Sequence, residues 1–350
     1  MTPAEISHTV LHAVRRAVDD GELAGGALAT LEQTDSGAGR PRARIVIERP
    51  RPGGHGDYAT NVALQLAGPA GRPSRHVAEI LRQRLADAPG IDAVDVSGPG
   101  FLNLTLTPGA PADATRDLLR LIQREGLAYG HGHALRSDLI DLRIPREPRA
   151  EILADAIGRI GRSQGAEVRV EHAADPHDVT FRPVPGDPHP LGLGRDAGRW
   201  ALLHPAPHDH PHLGGDATQT HLVQRESNPL FRVRYAHART RALTRNAADL
   251  HFSAEPNSAP TSHHLLTPLA DHPRILLSAA RHRAPDRLAR HLVALADAFL
   301  TDPDVHARAL PMGEEKPSAA HRARLALAEA VGTVLAGGLS LLGIDAPAHI

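Results

Sequence analysis

Arg234, Arg241 and Arg245 fall within roughly 40° of one another on a helical wheel drawn at about 100° per residue, while Val233, Ala236, Thr240, Leu243 and Ala247 fill the opposite arc. One side of such a helix packs and the other offers guanidinium groups. A row of this kind suits phosphates, because each guanidinium makes paired, charge-assisted hydrogen bonds to adjacent oxygens. Tyr235 adds a flat ring on which an unstacked nucleic-acid base can rest, a contact worth about 1 to 3 kcal/mol per base. The same residues also fit a plainer account, a solvated helix face with a packing tyrosine. Arg232 and Arg239 border the apolar arc beside Tyr235, where they could instead orient its ring.

A second constellation lies at 101–106. Strand alternation puts Leu102, Leu104 and Leu106 on one face and leaves Phe101, Asn103 and Thr105 on the other. That parity favours an exposed aromatic ring beside an amide carrying both a donor and an acceptor. A third group, His204, His208, His210 and His212, has imidazoles at close spacing, but interleaved prolines define no ligand geometry, so no metal site is expected. The chain has no cysteine, which removes thiolate metal sites, disulfides and thiol nucleophiles. No nucleophile triad or carboxylate pair stands out, and no cofactor is expected.

The elements that must position these groups follow from periodicity and breakers. At 350 residues the chain is long enough for two or three domains. Pro3 and the spacing of Ile6, Val10, Val14 and Val18 predict a helix to about Asp20, and 33–42 reads as a loop. Strands are expected at 43–48, 91–96 and 101–107, with helices after Asp57, which is read as an N-cap, and after Pro73. A helix over 111–128 leads to a hinge at Gly130-His131-Gly132-His133. Strand 139–144, helix 147–162 and strand 167–171 make one βαβ unit. Residues 176–213 read as an irregular connector with a short helix at 195–203, and the remainder as a helical bundle broken at 251–261, 302–304 and 311–317.

The fold class expected is therefore multidomain α+β: an N-terminal α/β domain, a truncated Rossmann-like βαβ middle and a C-terminal all-α bundle. The net charge of −1 and pI near 7.1 show no basic total, so any nucleic-acid contact must come from local patches. The N-terminus lacks a basic flank followed by an apolar core, and no apolar run approaching the roughly 20 residues of a membrane span is read. The expectation is a cytoplasmic chain with no membrane partner and no DNA partner.

Two segments carry a family resemblance. Asn228-Pro229-Leu230-Phe231-Arg232-Val233-Arg234-Tyr235-Ala236-His237-Ala238-Arg239-Thr240 resembles the first helix of the anticodon-binding domain of arginyl-tRNA synthetases. His55-Gly56-Asp57-Tyr58-Ala59-Thr60-Asn61-Val62-Ala63, with Gly98-Pro99-Gly100-Phe101-Leu102-Asn103, resembles the N-terminal add-on domain of that family. The resemblance implies an add-on domain over 1–128, a vestigial Rossmann-like remnant and linker over 134–193, and a DALR-type helical anticodon-binding domain over 194–350. It also implies a tRNA partner, an arginine tRNA first. Phe101 and Asn103 would contact the D-loop at the tRNA elbow, with His55 and Asn61 beside them. Tyr235, Arg234, Arg241, Arg245 and His237 would serve the anticodon.

The family's catalytic signatures are not found. Between strand 139–144 and the helix that follows stands only Pro145-Arg146, with no His-x-Gly-His turn, and Lys316 is the only lysine in the chain. Residues 134–193 hold about two βα units, whereas a doubly wound nucleotide domain needs two full halves. The expectation is a non-catalytic tRNA binder, not an enzyme. The alternative is a regulatory or accessory protein that docks on a synthetase or on an aminoacyl-tRNA-dependent enzyme.

Overall fold

The computed structural model describes residues 3–32, 45, 47–48, 56–107, 110–173, 190–211, 213, 220–256 and 262–350. The chain divides into two compact units, Met1–Thr115 and Arg116–Ile350.

In the first unit, α1 (Pro3–Asp19) and α2 (Gly25–Glu32) precede β1 (Ile47–Glu48), β2 (Tyr58–Thr60), α3 (Val62–Ala70), α4 (Ser74–Ala86), β3 (Ile91–Ser97) and β4 (Phe101–Leu106). The strands form an antiparallel sheet in the order β1-β2-β4-β3. Ile6, Val10 and Val14 of α1, Val77, Leu81 and Leu85 of α4, and Leu102 and Leu104 of β4 are buried in one core. That is the burial demanded by a 3.6-residue stripe on the helices and alternation on the strand.

Asp57 is not the helix cap that the sequence reading made it. Its amide donates to the carbonyl of Leu104 and its carboxylate accepts from the amide of Leu106, both at 2.8 Å, so it clips the chain to β4. The intervening β2 is three residues long, too short to show alternation, and it moves the helix start to Val62 after Asn61. Helix α2 and strand β2 were not anticipated. The loop expected at 33–42 and part of the strand expected at 43–48 lie outside the described residues.

The second unit contains most of α5 (Ala110–Glu125) and a 3-10 turn at Gly126–Ala128. These are followed by β5 (Leu139–Ile144), α6 (Pro148–Ser163), β6 (Glu167–His172), a 3-10 turn at Pro190–Leu193 and α7 (Arg195–Leu203). Strands β5 and β6 pair in parallel, with α6 as the crossover. Glu147 caps α6 by accepting from the amide of Ala150 at 2.8 Å, and Pro148 occupies the first turn, where no amide is needed.

The bundle consists of α8 (Pro229–Asp249), α9 (His263–Arg281), α10 (Pro285–Thr301), α11 (Pro303–Arg308) and α12 (Ala319–Leu341). A break at 282–284, with Arg283 at φ 50°, separates α9 from α10 and was not expected. The buried side chains of α5, the βαβ unit and the bundle form a continuous cluster that includes Leu142, Ile144, Trp200, Phe299 and Leu335. Gly130, at the expected hinge, has φ 86° and its carbonyl accepts from the Gln164 amide at 3.0 Å; a Cβ there would meet Leu276 and His272 at about van der Waals contact or closer. Helix α12 corrects one expectation. By length and composition it is apolar enough to cross a membrane, but most of it is buried inside the bundle.

Candidate RNA interface

In the first unit the Gly98–Gly100 turn presents the start of β4. Gly100 has φ 135°, and the Ser74 hydroxyl donates to the carbonyl of Pro99 at 2.5 Å, which fixes the turn against α4. Phe101 is 40% exposed at the strand's first position, whereas the leucines that alternate with it are buried, as parity requires. Asn103 shares that strand but is buried, and its amide donates to the Ser97 hydroxyl at 2.8 Å across the β3–β4 pair. Asn61 is half-buried, and its side-chain oxygen accepts from Gln65 at 2.7 Å. His55 lies outside the described residues.

In the second unit α8 is well anchored at its start. The Asn228 side chain accepts from the amides of Leu230 and Phe231 and donates to the carbonyls of His221 and Val223, at 2.9 and 3.0 Å. Val233, Ala236, Thr240, Leu243 and Ala247 are buried, which is the apolar arc of the wheel. Tyr235 is 42% exposed and stacks on Phe231, with ring centroids 5.7 Å apart and an interplanar angle of 17°. Arg232 pairs with Asp297 at 3.0 Å and does not stack on the tyrosine ring.

The three arginines of the predicted row meet different fates. Arg234 pairs with the Asp196 carboxylate of α7 and donates to the carbonyl of Asp345 at 3.1 Å. Arg245 donates to the carbonyl of Ala348 at 3.3 Å and lies 3.4 Å from the His349 ring. Arg241 is exposed and makes no hydrogen bond or ion pair with another described residue. His237 is buried and donates from Nδ1 to the carbonyl of Pro347 at 2.9 Å; burial pushes its pKa below the usual histidine range. Thus the segment 345–348 is laid along α8 and held by Arg234, His237 and Arg245.

Sequence reasoning missed this docking and missed Asp196 and Arg199. Arg199 pairs with Asp155 at 2.5 Å and donates to the carbonyl of Leu342 at 3.0 Å, so α7 ties the βαβ unit to the end of α12. Partners 38 to 143 residues apart leave no trace in local periodicity. A cavity of about 420 Å3 opens at the start of α8, bordered by Arg195, Asp196, His221, Phe231, Arg234 and His349. In the histidine cluster, His204 stacks on Trp200 and His208 and His210 are exposed; His212 lies outside the described residues. Among the described residues no group of three or more ligating side chains could hold a metal.

The comparisons with known proteins agree with these two regions. Residues 5–106 match the family described as "Arginyl tRNA synthetase N terminal domain", and residues 233–350 match "DALR anticodon binding domain". A protein named Arginine--tRNA ligase from Renibacterium salmoninarum is 32% identical over 251 residues, covering 67% of this chain and 42% of that protein. Another of the same name from Frankia alni is 38% identical over 182 residues, covering 49% of this chain and 30% of that protein. The chain thus spans 42% and 30% of the length of these two curated relatives. Among solved structures, the Thermus thermophilus arginyl-tRNA synthetase gives a TM-score of 0.64 at 15% identity with 100% of both chains covered. The Plasmodium falciparum arginyl-tRNA synthetase gives 0.63 at 9% identity with 99% of both covered. The last two likenesses concern the fold alone.

The chain is therefore related to arginyl-tRNA synthetases, and it carries the N-terminal domain and the DALR domain of that group. One expectation is overturned here. The absent signature residues were read as meaning that the chain is not an enzyme, yet a relative that matches across 67% of it is named for a ligase activity. Missing motifs between two matching ends are not by themselves a demonstration of lost activity.

Proposed function

We propose that this chain binds tRNA, an arginine tRNA first, through two surfaces. Phe101, Asn103, Asn61 and His55 meet the elbow at the D-loop, and Tyr235, Arg241, Arg234, Arg245 and His237 serve the anticodon. The regions assigned to this work are 1–128 for the elbow, 134–193 as a shortened Rossmann-like connector and 194–350 for the anticodon, acting in the cytoplasm. The observation that carries the reading is the presence, on one DALR-domain helix, of an exposed ring at Tyr235 and, six residues further along, an exposed guanidinium at Arg241 that makes no hydrogen bond or ion pair with another described residue. An aromatic face takes an unstacked base and a guanidinium takes its phosphate. Arg234 and Arg245 act in this reading by holding 345–348 in place beside that face, and Asn103 by holding the turn that presents Phe101.

Gel retention of a purified arginine tRNA tests the proposal. Retention by the full chain, weakened by Arg241→Glu and by Tyr235→Ala, is the expected result. Equal retention by both variants removes this face from the interface.

A second reading rests on the 32% identity to a protein named Arginine--tRNA ligase: that the chain takes part in that ligation. Arginine-dependent exchange of pyrophosphate into ATP by the purified chain tests it, and addition of a partner synthetase separates an accessory role from an intrinsic one.

A further inference from the structure

A second cavity, of about 350 Å3, lies between α8 and α12 beside Leu127. Its polar lining comes from His237, Thr240, Arg241 and Thr244 of α8 and from Glu329 and Thr333 of α12. Tyr235 is not part of it.

The hydrogen-bond inventory of this cavity is one-sided. Thr240 donates its hydroxyl to the carbonyl of His237 at 2.7 Å, and Thr333 donates to the carbonyl of Glu329 at 2.9 Å. Thr244 lies 3.2 Å from both the carbonyl of Thr240 and a carboxylate oxygen of Glu329, so its single hydrogen is committed as well. His237 spends its Nδ1 hydrogen on Pro347, and burial keeps the ring neutral, so Nε2 carries a lone pair. What remains is a set of acceptors: three hydroxyl oxygens, an imidazole nitrogen and the Glu329 carboxylate.

Glu329 is half-buried and has no cation within ion-pair distance among the described residues. Burial pushes its pKa above the usual carboxylate range, with the Thr244 hydrogen bond and the charge of Arg241 pulling the other way. Arg241, exposed, is the one donor-only group of the lining. Gly332 and Ala336 leave the α12 wall low, and the volume falls in the range of small-molecule sites. An acceptor-lined space around a half-buried carboxylate favours a donor-rich guest, and a carboxylate takes two parallel N–H groups best.

We propose that this cavity binds a planar, guanidine-type pair of N–H donors on Glu329, carried by a ligand whose anionic group is held by Arg241. Two sources share that chemistry. A guanine nucleotide offers the N1–H and N2–H groups of its base together with a phosphate, and free arginine offers its guanidinium together with a carboxylate. The inference shares Arg241 and His237 with the tRNA reading but rests on Glu329, which that reading does not use, and neither Phe101 nor Tyr235 takes part.

Calorimetric titration of the full chain with GMP and with L-arginine tests it, with AMP and L-glutamate as controls that lack the donor pair. Saturable binding of GMP assigns a nucleotide, and saturable binding of arginine assigns the amino acid. E329Q, a neutral isostere whose melting midpoint reports its folding, should weaken the bound ligand at least tenfold. R241A, a surface change, should weaken it several-fold. Absence of saturable binding by both GMP and arginine, AMP binding as tightly as GMP, or unchanged affinity in both variants overturns the proposal. Retention of tRNA is read separately on a gel, so failure here leaves that reading standing.

Discussion

His237 donates its Nδ1 hydrogen to the carbonyl of Pro347 at 2.9 Å, across 110 residues of sequence. That bond lies between two others, Arg234 to Asp345 and Arg245 to Ala348, and the three together pin the segment 345–348 along α8. Two members of the predicted phosphate-binding row are thus bound within the chain itself, and the third, Arg241, is not. The docking separates a structural role from a binding role on one helix.

Arg234→Ala should therefore act on stability. It strands the low-exposure carboxylate of Asp196 and frees the carbonyl of Asp345, a loss of about 1 to 3 kcal/mol, visible as a lower melting midpoint. Arg241→Ala, on the exposed side of the same helix, should stay within about 0.5 kcal/mol of the parent and instead reduce the salt dependence of tRNA binding by roughly one counterion. Equal melting of both variants would show that 345–348 is not held as described.

Phe101 and Asn103, two residues apart on β4, should likewise part company. Phe101→Ala removes an exposed ring and leaves the core intact, so its melting midpoint should barely move while tRNA affinity falls by about 1 to 3 kcal/mol. Asn103→Ala leaves the Ser97 hydroxyl without its amide partner beside a fixed turn and should cost about 1 kcal/mol of stability. Thermal melts and filter binding on the same two preparations decide it, and a melting loss in Phe101→Ala of the same size would make the ring a packing residue.

These two pairs mark what was legible beforehand. The wheel placed the buried arc of α8 correctly because helix burial repeats every 3.6 residues, and strand parity exposed Phe101 for the same kind of reason. Periodicity carries no information on distant partners, so the Asp196–Arg234 pair and the clip from Asp57 to β4 were not foreseen. Asn103 stands on the outward parity of β4 yet is buried, with its amide bonded to the Ser97 hydroxyl, a contact that parity does not register. The break before Pro285 was missed because its cause, Arg283 at positive φ, is a residue type with no bias toward that conformation.

A buried stack of imidazoles predicts the acid limb of stability. His272 and His291 stack with centroids 5.3 Å apart, and Nδ1 of His272 and Nε2 of His291 are buried without a hydrogen-bond partner. Burial pushes their pKa values down to about 3 and about 4 from an ordinary 6.5. The unfolded chain then takes up protons first as pH falls, so stability is complete above about pH 6.5 and declines below it, by a few kcal/mol per ring near pH 4. Denaturant melts between about pH 7 and pH 4 should show this decline, and His272→Leu should flatten it whatever its effect at neutral pH. A variant with the parent's slope would place the acid sensitivity elsewhere.

The most direct measurement is a filter-binding titration of the full chain with a purified arginine tRNA and with a tRNA for another amino acid, over a range of salt. Saturable binding of the arginine tRNA, tighter than that of the other, falling with salt and weakened by both Phe101→Ala and Arg241→Glu, is the predicted result. No saturable binding, or equal affinity for both tRNAs with neither substitution mattering, would contradict the account at its centre.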